Sequence, residues 1–159
     1  MPVNYGKEFE KRFEQDWSNS FPDNLILRLY DQMSKYKTVS ENPCDYISFI
    51  NDHVLLLECK ETQSSTLNFA KIPQLDRLLK LSSRYKHVLG WVVIWFFKFD
   101  RIIMISDTEL DRIRFDGHKS VGVELLNSGV YKYIEVPSKK KTRYLTCDFS
   151  SILDEIIED

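Results

Sequence analysis

The residues of this chain best suited to chemistry are two carboxylates and a lysine: Asp45, Glu58 and Lys60. Carboxylates are hard oxygen ligands, and such ligands select Mg²⁺ or Mn²⁺ among the common metal ions. A lysine beside such a pair can hold or polarise a water molecule or a phosphate oxygen. Together the three have the composition of a metal-dependent site that hydrolyses a phosphodiester.

A predicted β-hairpin brings these side chains together. Residues 44–50 and 53–60 are two runs rich in apolar, aromatic or β-branched residues, and Asn51-Asp52 between them is a turn signal. A two-residue turn makes Asp45 oppose Glu58 and places the lysine two residues further along the face of Glu58.

Two opposed carboxylates need a compensating partner. Directly opposed side chains have Cβ atoms about 5 Å apart, so like charges there repel. Both strands are otherwise apolar, so the pair would also lose hydration. A divalent cation shared by Asp45 and Glu58 would remove both costs. For the two acids the alternative is a surface hairpin in which both are exposed. For Lys60 the alternative is a simple ion pair with Glu58, which is also compatible with a metal-free site.

Hydrophobic periodicity predicts the elements around this hairpin. Helices are expected over 5–20, 74–86, 107–113 (with Asp107 as its N-cap) and 150–158. Further strands are expected over 24–30, 88–97, 101–106, 130–136 and 144–147; the apolar run 88–97 suits a strand covered on both faces. Segments 31–41, 63–71 and 137–143 are predicted loops, and 119–129 is ambiguous. The expected fold class is α/β, with a mixed twisted β-sheet flanked by helices.

Length and composition favour one domain spanning residues 1–159, since 43% of the residues are hydrophobic and 13% aromatic. No run is long enough to span a membrane, and the first residues lack the apolar region of a signal peptide. We therefore expect a soluble cytoplasmic protein with no membrane partner. The hairpin register places Cys44 opposite Cys59, either as a disulfide or, in a reducing compartment, as two buried thiols on one face.

The net charge of −2 is unevenly distributed. Five of the 24 acidic residues follow Cys147, which leaves 19 acidic against 22 basic residues before that point. Several of the remaining acids belong to the proposed site, where a metal would neutralise them. A local basic surface for nucleic acid is therefore compatible with the acidic total.

Four motifs resemble the PD-(D/E)xK nuclease superfamily and, within it, RecU-type Holliday junction resolvases. The Pro-Asp pair is present in the loosened form Pro43-Cys-Asp45, and Glu58-Cys-Lys60-Glu-Thr is similar to Glu-Ala-Lys-Glu-Thr. Gly6-x-x-Phe9-Glu10 resembles the N-terminal Gly-x-x-Leu/Phe-Glu of these proteins. The run 67–69 ahead of Gln74 resembles the loop and helix start that follow. The likeness covers roughly residues 4–106.

This resemblance implies a restriction-endonuclease-like core and a Mg²⁺-dependent DNA endonuclease that resolves four-way junctions in recombination and repair. Mn²⁺ is expected to substitute, and symmetric cutting implies a homodimer, with the apolar first helix and the C-terminal segment as contact surfaces. RecU proteins carry a stalk-forming insertion ahead of the catalytic Asp, where this chain has only residues 31–42. It is therefore expected to be a compact, phage-like relative, acting in a bacterial or phage-infected cell. The alternatives are a nuclease for another DNA substrate and a non-catalytic DNA-binding module of the same fold.

The resemblance also implies roles for individual residues. Asp45, Glu58 and the backbone carbonyl of Cys59 are the expected metal ligands, and Lys60 would orient the attacking water or stabilise charge on the phosphate. Glu10 is either a helper, through a second metal or as a base, or a solvated helix acid. Gln74 either positions the nucleophile or a phosphate, or caps its helix.

Two groups of polar residues are candidate DNA contacts. Hydroxyl groups that could donate to phosphates follow the second strand of the hairpin, at Thr62, Ser64 and Ser65. A basic patch that could neutralise phosphates lies near the end of the chain, at Lys139, Lys140, Lys141 and Arg143. Ordinary polar surface and a solvated charge run are the respective alternatives.

Overall fold

The computed structural model describes residues 2–30 and 42–158, so the loop predicted over 31–41 lies outside the described residues. The described residues form ten strands: β1 Ile26–Arg28, β2 Tyr46–Ile50, β3 His53–Thr62, β4 Thr66–Asn68, β5 Val88–Phe96, β6 Arg101–Ser106, β7 Ser120–Gly122, β8 Ile134–Glu135, β9 Ser138–Lys141 and β10 Tyr144–Cys147. They also form five α-helices: α1 Tyr5–Ser20, α2 Leu75–Arg84, α3 Asp107–Phe115, α4 Val123–Asn127 and α5 Leu153–Ile157. Short 3₁₀ turns occupy Phe69–Lys71, Phe97–Phe99 and Ser150–Ile152.

Six strands form a mixed sheet in the order β1-β2-β3-β5-β6-β8. Only β3 and β5 run parallel; the other neighbours are antiparallel. Apolar side chains cover both faces of β5, which confirms its predicted central place. The predicted α/β class, a twisted mixed sheet between helices, is confirmed.

Helices cover the two faces of this sheet. The apolar stripe of α1, formed by Phe9, Phe13 and Trp17, is buried against one face, as its four-residue spacing predicts. The other face packs against the apolar sides of α2 and α3, including Leu78 and Leu110. Because the stripe of α1 lies in the core of its own chain, it is not available as the homodimer contact that the sequence suggested.

The hairpin of β2 and β3 has the predicted register. Ile50 pairs with His53 across a two-residue turn, and Tyr46 pairs with Leu57. The turn residues Asn51 and Asp52 both have positive φ, 45° and 62°. Paired positive φ angles match the right-handed twist of the flanking strands and fix the register.

The cysteine prediction was wrong in one respect. Strand β2 begins at Tyr46 instead of at residue 44, so Cys44 is not paired with Cys59. Both thiols are free and buried, but Cys44 lies in the core beside α2, whereas Cys59 lies in the core beside α1. The predicted burial is confirmed, and the shared face is not.

Two segments that were predicted to be loops contain strands in the structure, and one helix cap differs from its prediction. Segment 63–71 contains β4, which pairs with β7, and segment 137–143 contains β9, which pairs with β10. The cap of α3 is Ser106 and not Asp107, because the Ser106 Oγ accepts a hydrogen bond from the Glu109 N–H at 3.2 Å.

Among the described residues, no helix is both long and apolar enough to cross a membrane.

Candidate active site

Asp45 is held in place by its backbone and by its side chain. Its N–H donates to the Leu57 carbonyl at 3.1 Å, and its own carbonyl accepts from the Leu29 N–H at 2.8 Å. The carboxylate Oδ2 accepts from the Cys59 N–H at 2.9 Å. The side chain is therefore anchored beside β3, one residue ahead of the start of β2, where the sequence places it.

Glu58 is nearly inaccessible, with 2% of its surface exposed. Its Oε1 lies 3.1 Å from the Lys60 Nζ, whereas its Oε2 is buried and has no hydrogen-bond partner in the described part of the chain. Burial, and then the nearby charge of Asp45, raises the pKa of Glu58 to about 8. A buried carboxylate oxygen without a donor is rare in folded proteins, because its desolvation is uncompensated. A cation is the partner that both carboxylates would accept.

Glu10 belongs to the same electrostatic cluster. Burial raises the pKa of Asp45, the Cys59 N–H lowers it, and the charge of Glu10 raises it further. Glu10 also contributes to the raised pKa of Glu58. The helix acid therefore lies close enough to the two carboxylates to act on them, as its interpretation as a helper requires.

Arg28 balances this acidic cluster, and the sequence interpretation missed it. Its Nη2 lies 2.7 Å from the Glu10 Oε2, and its Nη1 donates to the Tyr46 hydroxyl at 3.0 Å. That hydroxyl donates to the backbone carbonyl of Glu10 at 3.0 Å. Burial lowers the pKa of Arg28, but its bonds to Glu10 and Tyr46 raise it overall. The available signal was a single arginine within the otherwise apolar run 25–29.

Asp45 and Glu58 line a cavity of about 400 Å³ between β1, β3 and the start of α2. Arg28, Gln74 and Arg77 line the same cavity. The side-chain oxygen of Gln74 is buried and finds no partner within residues 2–30 and 42–158. Gln74 immediately precedes α2 but makes no side-chain capping hydrogen bond, so the capping alternative is wrong. We call this cavity the carboxylate cleft.

A second cavity of about 600 Å³ opens beside Lys60. Glu10, Thr62, Ser64 and Lys71 line it together with Lys60. The hydroxyls have structural partners as well, since the Thr62 Oγ1 donates to the Thr66 carbonyl at 2.9 Å and accepts from the Ser64 N–H at 3.2 Å.

Ser65 lies at the exposed tip of this turn, and its carbonyl accepts from the Val123 N–H at 2.9 Å. It is not among the residues that line the second cavity. The structure therefore brings Thr62 and Ser64 next to Lys60 but leaves Ser65 on the surface beyond them.

The basic residues Lys139–Lys141 and Arg143 lie on the exposed hairpin of β9 and β10. Lys140 anchors it through a 3.0 Å ion pair with Asp100. Tyr144 stacks under the guanidinium of Arg12, 3.9 Å from its ring centre. Because β3 and β5 are parallel and Asp100 closely follows β5, the hairpin lies towards the same end of the sheet as the turn after Thr62.

The residues present fit a divalent cation, although the described residues contain no group of three or more His, Cys, Asp or Glu side chains that could hold one. Mg²⁺ needs only one or two protein carboxylates when water and phosphate oxygens complete its shell. The Cys59 N–H points to Asp45, and the N–H and C=O of one strand residue point to the same side. The Cys59 carbonyl is therefore directed to the side of the carboxylate pair.

No family model and no curated protein matches this chain. Among solved structures, 18 chains match. One of them is Hjc, a Holliday junction resolvase from the archaeal hyperthermophile Archaeoglobus fulgidus, with a TM-score of 0.52 and 15% identity over 82% of this chain and 95% of that chain. At this identity the likeness shows the fold alone, a helix-flanked mixed sheet common to both chains.

Proposed function

We propose that this protein is a Mg²⁺-dependent DNA endonuclease that acts selectively on four-way junctions in the cytoplasm, as a compact single-domain relative of RecU-type resolvases. The observation that carries the proposal is Glu58, a buried carboxylate beside Asp45 with one oxygen on Lys60 and the other without a donor among the described residues. The fold that the chain shares with an archaeal junction resolvase supports the same activity.

Asp45, Glu58 and the Cys59 carbonyl would hold Mg²⁺, and Mn²⁺ in its place. A divalent cation bound there supplies Lewis-acid polarisation of the phosphodiester. The protein contributes a rigid frame, because the Asp45 carboxylate is fixed by the Cys59 N–H and its backbone is bonded to two neighbouring strands. This pre-organisation avoids reorganising the ligands when substrate enters.

Lys60 and Glu10 are the two side chains that act on the reacting groups in this proposal. The Lys60 ammonium, poised 3.1 Å from Glu58, donates to the attacking water or to a phosphate oxygen as negative charge builds up. Glu10, whose carboxylate is held by Arg28, would accept the proton of that water. The Gln74 oxygen, which has no partner among the described residues, orients the same water or a sugar group in the carboxylate cleft.

DNA would extend from the cleft across the second cavity. Thr62 and Ser64 then face the backbone, Ser65 contacts it further out, and the β9–β10 hairpin supplies Lys139, Lys140, Lys141 and Arg143 as phosphate contacts. Cutting two strands symmetrically requires two copies of the site, so we propose a homodimer. Its contacts must use surface other than the buried stripe of α1.

A substrate panel tests this function. Labelled four-way junction, linear duplex, flapped duplex and single-stranded DNA are incubated with the protein in Mg²⁺, in Mn²⁺ and in EDTA. The proposal expects metal-dependent cutting of the junction in paired strands and much slower cutting of the other substrates. Equal cutting of all four would leave a nuclease without junction selectivity. Junction binding without cutting in either metal would instead favour a non-catalytic DNA-binding module.

A further inference from the structure

Two arginines on different elements line the carboxylate cleft. Arg28 comes from the edge strand β1, and Arg77 comes from the first turn of α2. Asp45 and Glu58 line the same cleft. Arg28 is already committed to Glu10 and Tyr46, which hold its guanidinium towards α1. The α2 wall therefore brings a second guanidinium to the same cleft.

A bound divalent cation leaves the described lining of the cleft with a net positive charge. The residues of its lining that the structure describes carry two carboxylates and two guanidinium groups, and the others among them are uncharged. With both acids ionised, as metal ligands must be, these four charges sum to zero before the cation is counted. A divalent cation leaves a surplus of two positive charges in a cavity of about 400 Å³. The loaded cleft is thus suited to a phosphodiester, whose charge the acids alone would repel.

The wall that carries Arg77 is rigid. Leu75 and Leu78 on the inner side of α2 are buried at 1% and 0% exposure. The first turn is also tied to α3, because Asp76 lies 2.7 Å from the Arg114 guanidinium. Arg77 is half-buried and follows Gln74 by three residues, so both side chains stand over the cleft on one face of the helix. A guanidinium on such a fixed base offers a planar fork that matches two oxygens of one phosphate.

We infer that Arg77 is a phosphate-binding residue of the cleft, which grips one phosphate of the cleaved DNA strand at the α2 wall once the metal is in place. The inference rests on the proposed function, since it needs DNA to enter this cleft. Arg77 would fix the position of the strand relative to Asp45, Glu58 and Lys60. Misplacement of the reacting strand by about 1 Å can lower the rate roughly 10²-fold, so a single phosphate contact from Arg77 affects turnover as well as binding.

The experiment compares Arg77→Met and Arg77→Lys with a matched control, Arg84→Met. Arg84 lies at the far end of the same helix, where its guanidinium packs over the Tyr85 ring. Junction affinity is measured at several salt concentrations in Ca²⁺, with intact DNA verified on a denaturing gel, and cleavage is measured in Mg²⁺. Mn²⁺ binding without DNA and the melting temperature are recorded for every variant.

We expect Arg77→Met to weaken junction binding and to flatten the slope of log affinity against log salt by about 0.9, the value for the removal of one phosphate contact on duplex DNA. Its kcat/KM should fall by about 10- to 100-fold. Arg77→Lys should keep the salt slope, because it keeps the charge, but should turn over more slowly, because the planar fork is gone. Arg84→Met should match the wild type in each measurement, and Mn²⁺ binding should be unchanged in all variants.

If Arg77→Met keeps the salt slope and the turnover of the wild type, the inference is overturned and the nuclease proposal stays intact. Loss of Mn²⁺ binding in both Arg77 variants would also overturn it, because that result assigns Arg77 to holding the cleft together. Failure of the wild-type protein to bind any DNA would count against the proposed function itself. If Arg77→Met does not fold, the turnover and salt slope of Arg77→Lys decide the question.

Discussion

The Lys60 ammonium lies 3.1 Å from one oxygen of Glu58, and the other oxygen of Glu58 is buried without a hydrogen-bond donor in the described structure. One lysine therefore satisfies half of a carboxylate that folding has removed from water. The cost of this arrangement is visible in the pKa of Glu58, which burial and then Asp45 raise to about 8. A site that carries such a cost without a metal should gain stability when the metal binds.

Glu58→Gln should stabilise the metal-free protein at alkaline pH. The ordinary pKa of this group is 4.5 and its folded pKa is about 8, so the folded state holds a proton that the unfolded state has released between these values. The stability of the wild type in EDTA should therefore fall as pH rises from 4.5 to 8. At alkaline pH the variant should be more stable by up to about 5 kcal/mol, since the two pKa values differ by about 3.5 and each pKa unit corresponds to about 1.4 kcal/mol. Urea denaturation across this pH range measures both.

Added Mg²⁺ provides the internal control for that experiment. It should raise the stability of the wild type and leave Glu58→Gln nearly unchanged, because the variant lacks one ligand. A wild type whose stability stays flat or rises over this pH range would show that Glu58 ionises normally in the folded protein.

Lys60→Met should lower kcat by about 10²- to 10³-fold, the usual loss when one group that stabilises transition-state charge is removed. Junction affinity in Ca²⁺ should change much less, because many other phosphate contacts remain. Single-turnover cleavage in Mg²⁺ gives the rate. Lys80→Met, an exposed lysine on α2, is the matched control and should cut normally. Equal rates for the two variants would remove Lys60 from the reacting groups.

Tyr46→Phe should both destabilise the protein and slow cleavage. The hydroxyl links Arg28 to the backbone of Glu10, so its loss leaves a partly buried guanidinium short of an acceptor. We expect a cost of about 1–3 kcal/mol in the free energy of unfolding. Tyr85→Phe, at a half-exposed tyrosine, should cost little. Thermal unfolding measures the difference, and an unchanged melting temperature for Tyr46→Phe would mean that water replaces the hydroxyl at no cost.

Replacing Lys139 and Lys141 with Gln should weaken junction binding, because each lysine is proposed to neutralise a phosphate. We expect the salt slope to flatten by about 1 to 2, since each duplex phosphate that a lysine neutralises contributes about 0.9. The kcat at saturating DNA should stay unchanged, because the hairpin lies away from the carboxylate cleft. The control is the pair Lys80 and Lys86, replaced in the same way. Equal effects of both pairs would indicate general charge attraction without a defined hairpin contact.

The centre of the site could be predicted from sequence because its geometry is local. One turn and strand alternation are enough to relate Asp45, Glu58 and Lys60, and the observed register agrees. The turn residues Asn51 and Asp52 tolerate the positive φ that a two-residue connection requires. Helix α1 could be predicted equally well, since its apolar spacing and its bounds follow from residues close in the chain.

Arg28 and Arg77 could not be placed in this way. Arg28 enters the site only because β1 pairs with β2, and no local pattern specifies that pairing. The basic strand β9 has no apolar alternation of its own, so its sequence predicts a loop. It is ordered by β10, whose Leu145 and Cys147 are buried in the core beside α1. Arg28 depends on a strand distant in the sequence, and the β9–β10 hairpin depends on the packing of β10 beside the equally distant α1, neither of which local patterns specify.

Anomalous diffraction from a crystal soaked in Mn²⁺ tests most directly whether Asp45 and Glu58 share a divalent cation. We expect a strong peak in the carboxylate cleft, in contact with oxygens of both carboxylates and with the Cys59 carbonyl. The same soak of Glu58→Gln crystals should show a much weaker peak. A wild-type crystal with no peak between these two carboxylates, at Mn²⁺ concentrations that support cleavage, would contradict the central claim.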